Sequence, residues 1–291
     1  MTYSIVGRSA DGLVHGVAVA SKFLGAGGLV PAAAARVGAL ATQADVNCAY
    51  RPQGLALLAT GVTAADTLAG LIAADPGRSV RQLGVVGRGG PGATYTGADC
   101  HPWAGGVAGD GYAIQGNILT GPEVVEAMRA AWLAAGDDPP LARRLLAALR
   151  AGDGAGGDWR GRQSAALLVV SKNAGYGGTS DVLADLRVDD HADPVSELGR
   201  LVDLHAFYFD RPDPATLLPL SGEIAGEVAR LLATAGHPAD PAGLDAALAA
   251  WAGIENLEER LVLGQIDPLV LAHLRTVAGS SRQLSPNSCH R

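Results

Sequence analysis

The chain has 291 residues, with 22 Lys and Arg against 29 Asp and Glu for a formal charge of −7, and is 48% hydrophobic but only 4% aromatic. A chain of this length buries enough surface to fold as one large or two smaller domains without disulfides. The acidic balance and the use of only two lysines, Lys22 and Lys172, exclude the basic runs that track a phosphate backbone or an anionic membrane surface, so neither nucleic acid nor a membrane is expected as a partner.

The first 43 residues predict strands: Thr2 to Arg8 is β-rich, Asp11-Gly12 signals a turn, Leu13 to Ala20 alternates Val with small residues, and Arg36 to Gln43 follows. Pro52 to Ala74 carries leucines at helical spacing with a break at Gly61, and Pro76-Gly77 ends it. Gln82 to Val86 and Ala93 to Thr96 predict a hairpin around the glycine-rich Gly87 to Gly92. That loop formally matches G-x-G-x-x-G, but strands flank it on both sides, whereas a dinucleotide site requires a following helix. Tyr112 to Gln115 is a further strand, Pro122 opens a helix through Trp132, and Leu141 to Arg150 forms another. A polar connection, Gly152 to Gly161, leads to the apolar strand Ala165 to Val170 and its partner Val182 to Val188, before a helix from Pro194 to Phe207.

From Asp210 the character changes. Arg211-Pro212-Asp213-Pro214 predicts a linker, and helices are expected at about Gly222 to Gly236, Pro241 to Ala252 and Pro268 to Thr276. The domains are therefore read as 1–209, a helical domain over 210–279, and a disordered tail over 280–291. The order of strands and helices before residue 210 predicts two antiparallel sheets packed together with helices outside. Three cysteines, Cys48, Cys100 and Cys289, show no C-x-x-C spacing, and Met1 to Val6 lacks the basic and apolar regions of a signal peptide. A cytoplasmic protein is expected.

Several clusters carry chemistry. Asp189-Asp190-His191 with Asp193 suits a divalent cation or an acid/base pair, but Asp193 directly before a Pro favours the structural reading of the same residues, a strand exit in which Asp193 caps the helix beginning at Pro194. Arg160 and Arg162 offer guanidinium forks for a substrate carboxylate or phosphate, or braces for Asp158. Gln115-Gly116-Asn117 places two amides at a strand end, as an oxyanion or substrate contact or as turn chemistry. Thr2 is the most informative residue. With Met1 removed, its hydroxyl and free α-amine form a nucleophile and base on one residue, since an amine titrating near ~8 can accept the hydroxyl proton without a histidine.

The segments Met1 to Val6, Gly16 to Phe23, Gly38 to Gln43, Ile114 to Asn117 and Gly161 to Leu167 together resemble an uncharacterised bacterial family described as N-terminal-nucleophile (Ntn) hydrolase-like, over about residues 2–208. Leu186 to His191 and Pro194 to Leu198 fit the same resemblance. In some members a small helical domain labelled as peptidoglycan-binding follows, and Ala249 to Trp251 with Glu255 to Arg260 is similar to it. The resemblance implies an α+β fold, a four-layer αββα sandwich followed by a small all-α domain, and hydrolysis of an amide-type C–N bond through an acyl-enzyme on Thr2. Proteasome-type relatives place a lysine on the third strand; the corresponding stretch, Gly28 to Pro31, has none. Such folds place oxyanion contacts at the end of the strand closing at Gln43, which makes Gln43, Asn47 and Asn117 the catalytic candidates beside Thr2. Arg162, Lys22, Asp190 and His191 are the candidates for substrate binding.

The expected function is that of a small-molecule amidohydrolase needing no cofactor and no metal. The alternative is a non-catalytic binding protein on the same scaffold, whose helical domain recognises a glycan or a partner; a third reading is a metal-dependent hydrolase built on Asp189, Asp190 and His191. Helical faces rich in Ala and Leu predict a homo-oligomer.

Overall fold

A computed structural model describes residues 2–240 and 242–281, and the chain divides into two compact units, Met1–Val202 and Asp203–Arg291. The first unit runs β1 (Thr2–Arg8), β2 (His15–Ser21), β3 (Pro31–Ala34), β4 (Gly38–Ala44), α1 (Tyr50–Ala59), α2 (Ala64–Ala73), β5 (Arg81–Gly87), β6 (Ala93–Thr96), β7 (Gly105–Gly109), β8 (Tyr112–Asn117), α3 (Glu123–Ala134), α4 (Leu141–Gly154), β9 (Ser164–Val170) and β10 (Val182–Val188). It is closed by α5 (Pro194–Phe209), within which the division between the units falls. The fold is α+β with antiparallel sheets, and the C-terminal part is helical.

One sheet has the order β10-β9-β2-β1-β8-β7 and the other β3-β4-β5-β6. Because successive strand side chains point to opposite faces, β1 contributes to two cores at once. Tyr3 and Ile5 pack with Met128, Trp132, Leu145 and Leu149 of α3 and α4, whereas Val6 packs with Val17, Val19, Ala39, Ala41 and Val86 between the sheets. On the outer face of the second sheet, Leu40 and Val85 meet Leu58 of α1 and Leu68 of α2. The Gly87 to Gly92 stretch joins β5 to an antiparallel β6, with Val85 opposite Ala93, so it is a hairpin loop. Two strands the sequence does not predict, β3 and β7, lie at sheet edges beside β4 and β8.

His15 opens β2 and is fully buried. Burial pushes its imidazole down from 6.5 to about 4, with the Arg8 and Arg88 charges adding to the shift. An imidazole neutral in the folded chain and basic in the unfolded one contributes fully above pH 6.5, and that contribution is lost as the pH falls towards 4. At about 1.4 kcal/mol per pH unit the loss totals about 3 kcal/mol. Unfolding by denaturant at pH 7.5 and 4.5 should show this drop in the natural protein and a markedly smaller one in His15→Leu.

The second unit contains α6 (Gly222–Thr234), α7 (Leu244–Ile254) and α8 (Pro268–Ser281), with a two-stranded ladder of β11 (Leu218–Pro219) and β12 (Gln265–Ile266). Val228, Leu232, Leu248, Trp251, Val270 and Leu274 form its core. Inside it Arg260 and Asp267 sit 2.5 Å apart, both buried, and Arg260 also donates to the carbonyls of Ala206 and Phe207. Of the stretch 280–291 expected to be a disordered tail, residues 280 and 281 belong to α8, and 282–291 lie outside the described residues. No helix among the described residues is long and apolar enough to cross a membrane.

Candidate functional site

The space between the two sheets is graded from one end to the other. Inward-facing positions at one end are Val and Ala, but towards the start of β1 they become Thr2 and Ser4 on β1, Ser21 on β2, Gln43 on β4, Gln82 on β5, Gln115 and Asn117 on β8, and Ser164 on β9, all buried. Eight polar side chains buried together need mutual partners, because an unmet buried donor or acceptor costs about 1–3 kcal/mol.

Those partners are present. Gln82 is the hub: its Oε1 accepts from Gln43 Nε2 at 2.8 Å and from Asn117 Nδ2 at 2.9 Å, while its Nε2 donates to the Gly116 carbonyl at 2.7 Å and to Thr96 Oγ1 at 2.9 Å. Ser4 Oγ donates to Gln43 Oε1 at 2.6 Å and accepts from Gln115 Nε2 at 2.6 Å. Gln115 can lie this close to β5 only because residue 84 is glycine; a Cβ there would overlap its amide.

Thr2 sits on top of this network. It pairs with Asn117 across β1 and β8, is 7% exposed, and its Oγ1 lies 3.0 Å from Ser21 Oγ. Its carbonyl accepts from Gln43 Nε2 at 3.2 Å and from Asn117 Nδ2 at 3.5 Å. The first residue of this central strand is thus anchored by ladder, hydroxyl and amides.

The structure brings Gln43 and Asn117 to Thr2, but with their amide hydrogens turned to interior acceptors and to the Thr2 carbonyl. Asn47 goes elsewhere: its Nδ2 donates to Asp75 at 3.3 Å and its Oδ1 accepts from the Ala49 backbone. Asp75 also accepts from the Tyr50 hydroxyl at 2.6 Å and from Arg81 Nε at 2.9 Å. The Tyr50 and Arg81 bonds hold its carboxyl well below the usual carboxylate range.

Beside Thr2 a cavity of about 410 Å³ is lined by its neighbours Tyr3 and Ser21, by Asp153 at the last turn of α4, by Asp158, Trp159 and Arg162 of the following loop, and by Ser164; Thr2 itself does not line it. Arg162 Nε donates to Asp153 Oδ1 at 2.8 Å, and the Tyr3 hydroxyl donates to the same oxygen at 3.1 Å. Burial, and then the Asp153 charge, push the Tyr3 phenol well above its ordinary value. Asp158 accepts from the backbone N–H of Lys22 at 2.8 Å and of Arg160 at 2.9 Å, so Arg160 braces Asp158 while Arg162 faces the cavity. Lys22 enters through its backbone, its side chain being exposed.

Asp190 and His191 are exposed and take separate partners. Asp190 accepts from Gln163 Nε2 at 3.2 Å, and His191 Nδ1 accepts from the Asp193 N–H at 3.0 Å. Asp193 bonds the hydroxyl and backbone of Ser196, which holds its carboxyl below its ordinary value and caps α5. Among the described residues no three His, Cys, Asp or Glu side chains gather as a metal set. Sequence reading did not single out Ser4, Ser21, Gln82, Tyr3, Asp153 or Trp159. Ser21 was detectable as a polar residue at a strand end whose other alternate positions are Val17 and Val19, and Ser4 and Gln82 as polar residues in step with Val6 and Val86; the last three have no local signal.

A family model described as "Family of unknown function (DUF1028)" matches residues 2–198. A second, described as "Putative peptidoglycan binding domain", matches residues 208–274. The crystal structure of protein SPO2555 from Silicibacter pomeroyi, assigned to the same DUF1028 family, is similar at a TM-score of 0.62 and 28% identity, covering 77% of this chain and 92% of that one. No curated protein matches. With its first 198 residues matched almost entirely, this chain belongs to the family of unknown function DUF1028.

Proposed function

We propose that the first unit is a four-layer αββα sandwich of the N-terminal-nucleophile hydrolase type, and that Thr2, made the first residue by loss of Met1, hydrolyses an amide-type C–N bond. The observation that carries this reading is the anchoring of Thr2: a hydroxyl 3.0 Å from Ser21 Oγ on a residue whose carbonyl two buried amides hold. Such fixing removes the rotational freedom a nucleophile must otherwise lose on reaching its target.

In the proposed reaction Thr2 Oγ attacks the substrate carbonyl carbon and its proton passes to the α-amine. The C–N bond then breaks, the leaving amine takes that proton, and an ester remains on Thr2. Water, deprotonated by the same amine, attacks the ester; the acid departs and the proton returns to Oγ. Ser21 orients the hydroxyl, and Gln43 and Asn117 act by holding the Thr2 main chain. A protein carrying an uncleaved residue before Thr2 keeps the hydroxyl but loses the free amine, so it should lose hydrolysis and reaction with acylating probes. Full activity in that form would contradict the mechanism.

A second reading, a non-catalytic binding protein, draws on the burial of Thr2 and its absence from the cavity wall, together with the match of residues 208–274. It expects ligand binding untouched by Thr2→Ala and no covalent chemistry at Thr2.

A further inference from the structure

We propose that the cavity beside Thr2 binds the carboxylate of a small amide-containing acid, with Arg162 as its anchor and Trp159 as a stacking wall. The amide portion rests on the Thr2 reading; the acid portion rests on the cavity alone.

Both carboxylates on the wall already have cationic or N–H partners. Asp153 receives Arg162 Nε and the Tyr3 hydroxyl, and Asp158 receives two backbone N–H groups and an Arg160 guanidinium at 3.4 Å. A cationic ligand would meet carboxylates whose charge the Arg162 and Arg160 guanidiniums already balance. Arg162 differs: among the described residues its hydrogen bond is made through Nε, its side chain is half exposed, and Asp193 acts on it through charge without a hydrogen bond to Nη1 or Nη2. A guanidinium fixed at one edge with its outer nitrogens open to a cavity is suited to a carboxylate, whose two oxygens match the fork. The oxygen that Arg162 bonds is itself fixed, because Asp153 Oδ1 also accepts from Tyr3, a buried residue of central strand β1 and the neighbour of Thr2.

Trp159 lines the same cavity and is 64% exposed, a large aromatic face without cover. Covering it with a planar or apolar part of the ligand removes that area from water and adds ring contact. A volume of about 410 Å³ is in the range of small-molecule sites. The ligand class is therefore a compact acid combining one carboxylate, one amide and a planar or apolar group.

Benzoylglycine (hippurate) and its uncharged amide (hippuramide) share everything but the charge and serve as probes. Calorimetric titration should use the Thr2→Ala protein, which cannot turn the probes over. Saturable binding of hippurate, with hippuramide weaker by at least about tenfold, is expected from a charge-assisted pair. Arg162→Gln should remove that discrimination, and Trp159→Ala should weaken both probes together. Equal binding of the two, or no binding of either to protein shown folded by its circular dichroism, overturns the proposal. Since Thr2 chemistry is not measured here, such a failure leaves the nucleophile reading standing. Conversely, charge discrimination without any reactivity at Thr2 would remove that reading and keep this one.

Discussion

Thr2→Ala is expected to abolish amide hydrolysis, by at least about a thousandfold, while leaving the fold in place. The size of the effect follows from removing the attacking atom itself, after which no covalent route remains. The mildness of the structural effect follows from the bonds Thr2 makes: its carbonyl and its pairing with Asn117 belong to the backbone and survive, and only the contact of Oγ1 with Ser21 Oγ is lost. That single neutral hydrogen bond is worth about 1 kcal/mol. Thr2→Ser, which keeps a hydroxyl and an amine, should retain part of the activity. Hydrolysis of the same substrate by Thr2→Ala at an undiminished rate, with melting behaviour unchanged, would exclude Thr2 as the nucleophile.

Gln82→Leu is expected to be the most damaging of the conservative-volume changes in the first unit. Gln82 Oε1 accepts from both Gln43 and Asn117, so a leucine leaves two buried N–H donors facing methyl groups. At roughly 2 kcal/mol for each such group the loss is about 4 kcal/mol. In a unit of about 200 residues that lowers the melting temperature by roughly 10 °C. The same change should slow any reaction of Thr2, because Gln43 and Asn117 hold its carbonyl. A loss below about 1 kcal/mol would show that the amides find other partners and that the network does not hold the site.

The fold was legible where side chains alternate. Thr2 to Arg8 and Ala165 to Val170 announce themselves through period-two or continuous apolar patterning, and the glycine at 61, at a φ of +91°, breaks the helical stretch into α1 and α2 where the sequence signals it. By contrast Pro31–Ala34 and Gly105–Gly109 have no β preference of their own; they are strands because β4 and β8 offer them a ladder. The predicted connection from Gly152 also began too early. The helix α4 runs on to Gly154, since a glycine at 152 lets Met128 and Tyr3 approach, and this extra turn carries Asp153 into the cavity wall.

The candidate site was half legible for the same reason. Thr2, Gln43 and Asn117 converge because they share the inner face at one end of three strands, a property of strand register that sequence alternation encodes. Asn47 does not join them, because the turn after β4 is folded by Asp75, a residue whose partnership with Tyr50 and Arg81 spans separate elements. Arg162 faces the cavity and Arg160 faces Asp158, a division that adjacent arginines in a glycine-rich loop do not reveal by spacing.

The most direct test of the account is the intact mass of the purified protein before and after incubation with a β-lactone, followed by mapping of the modified residue. Opening of the lactone by a threonine hydroxyl adds the whole probe as an ester, so the account predicts a chain lacking Met1 that gains one probe mass, located on Thr2 and absent from Thr2→Ala. A chain shown to begin at Thr2 that gains no adduct, or one whose adduct persists in Thr2→Ala, would contradict it.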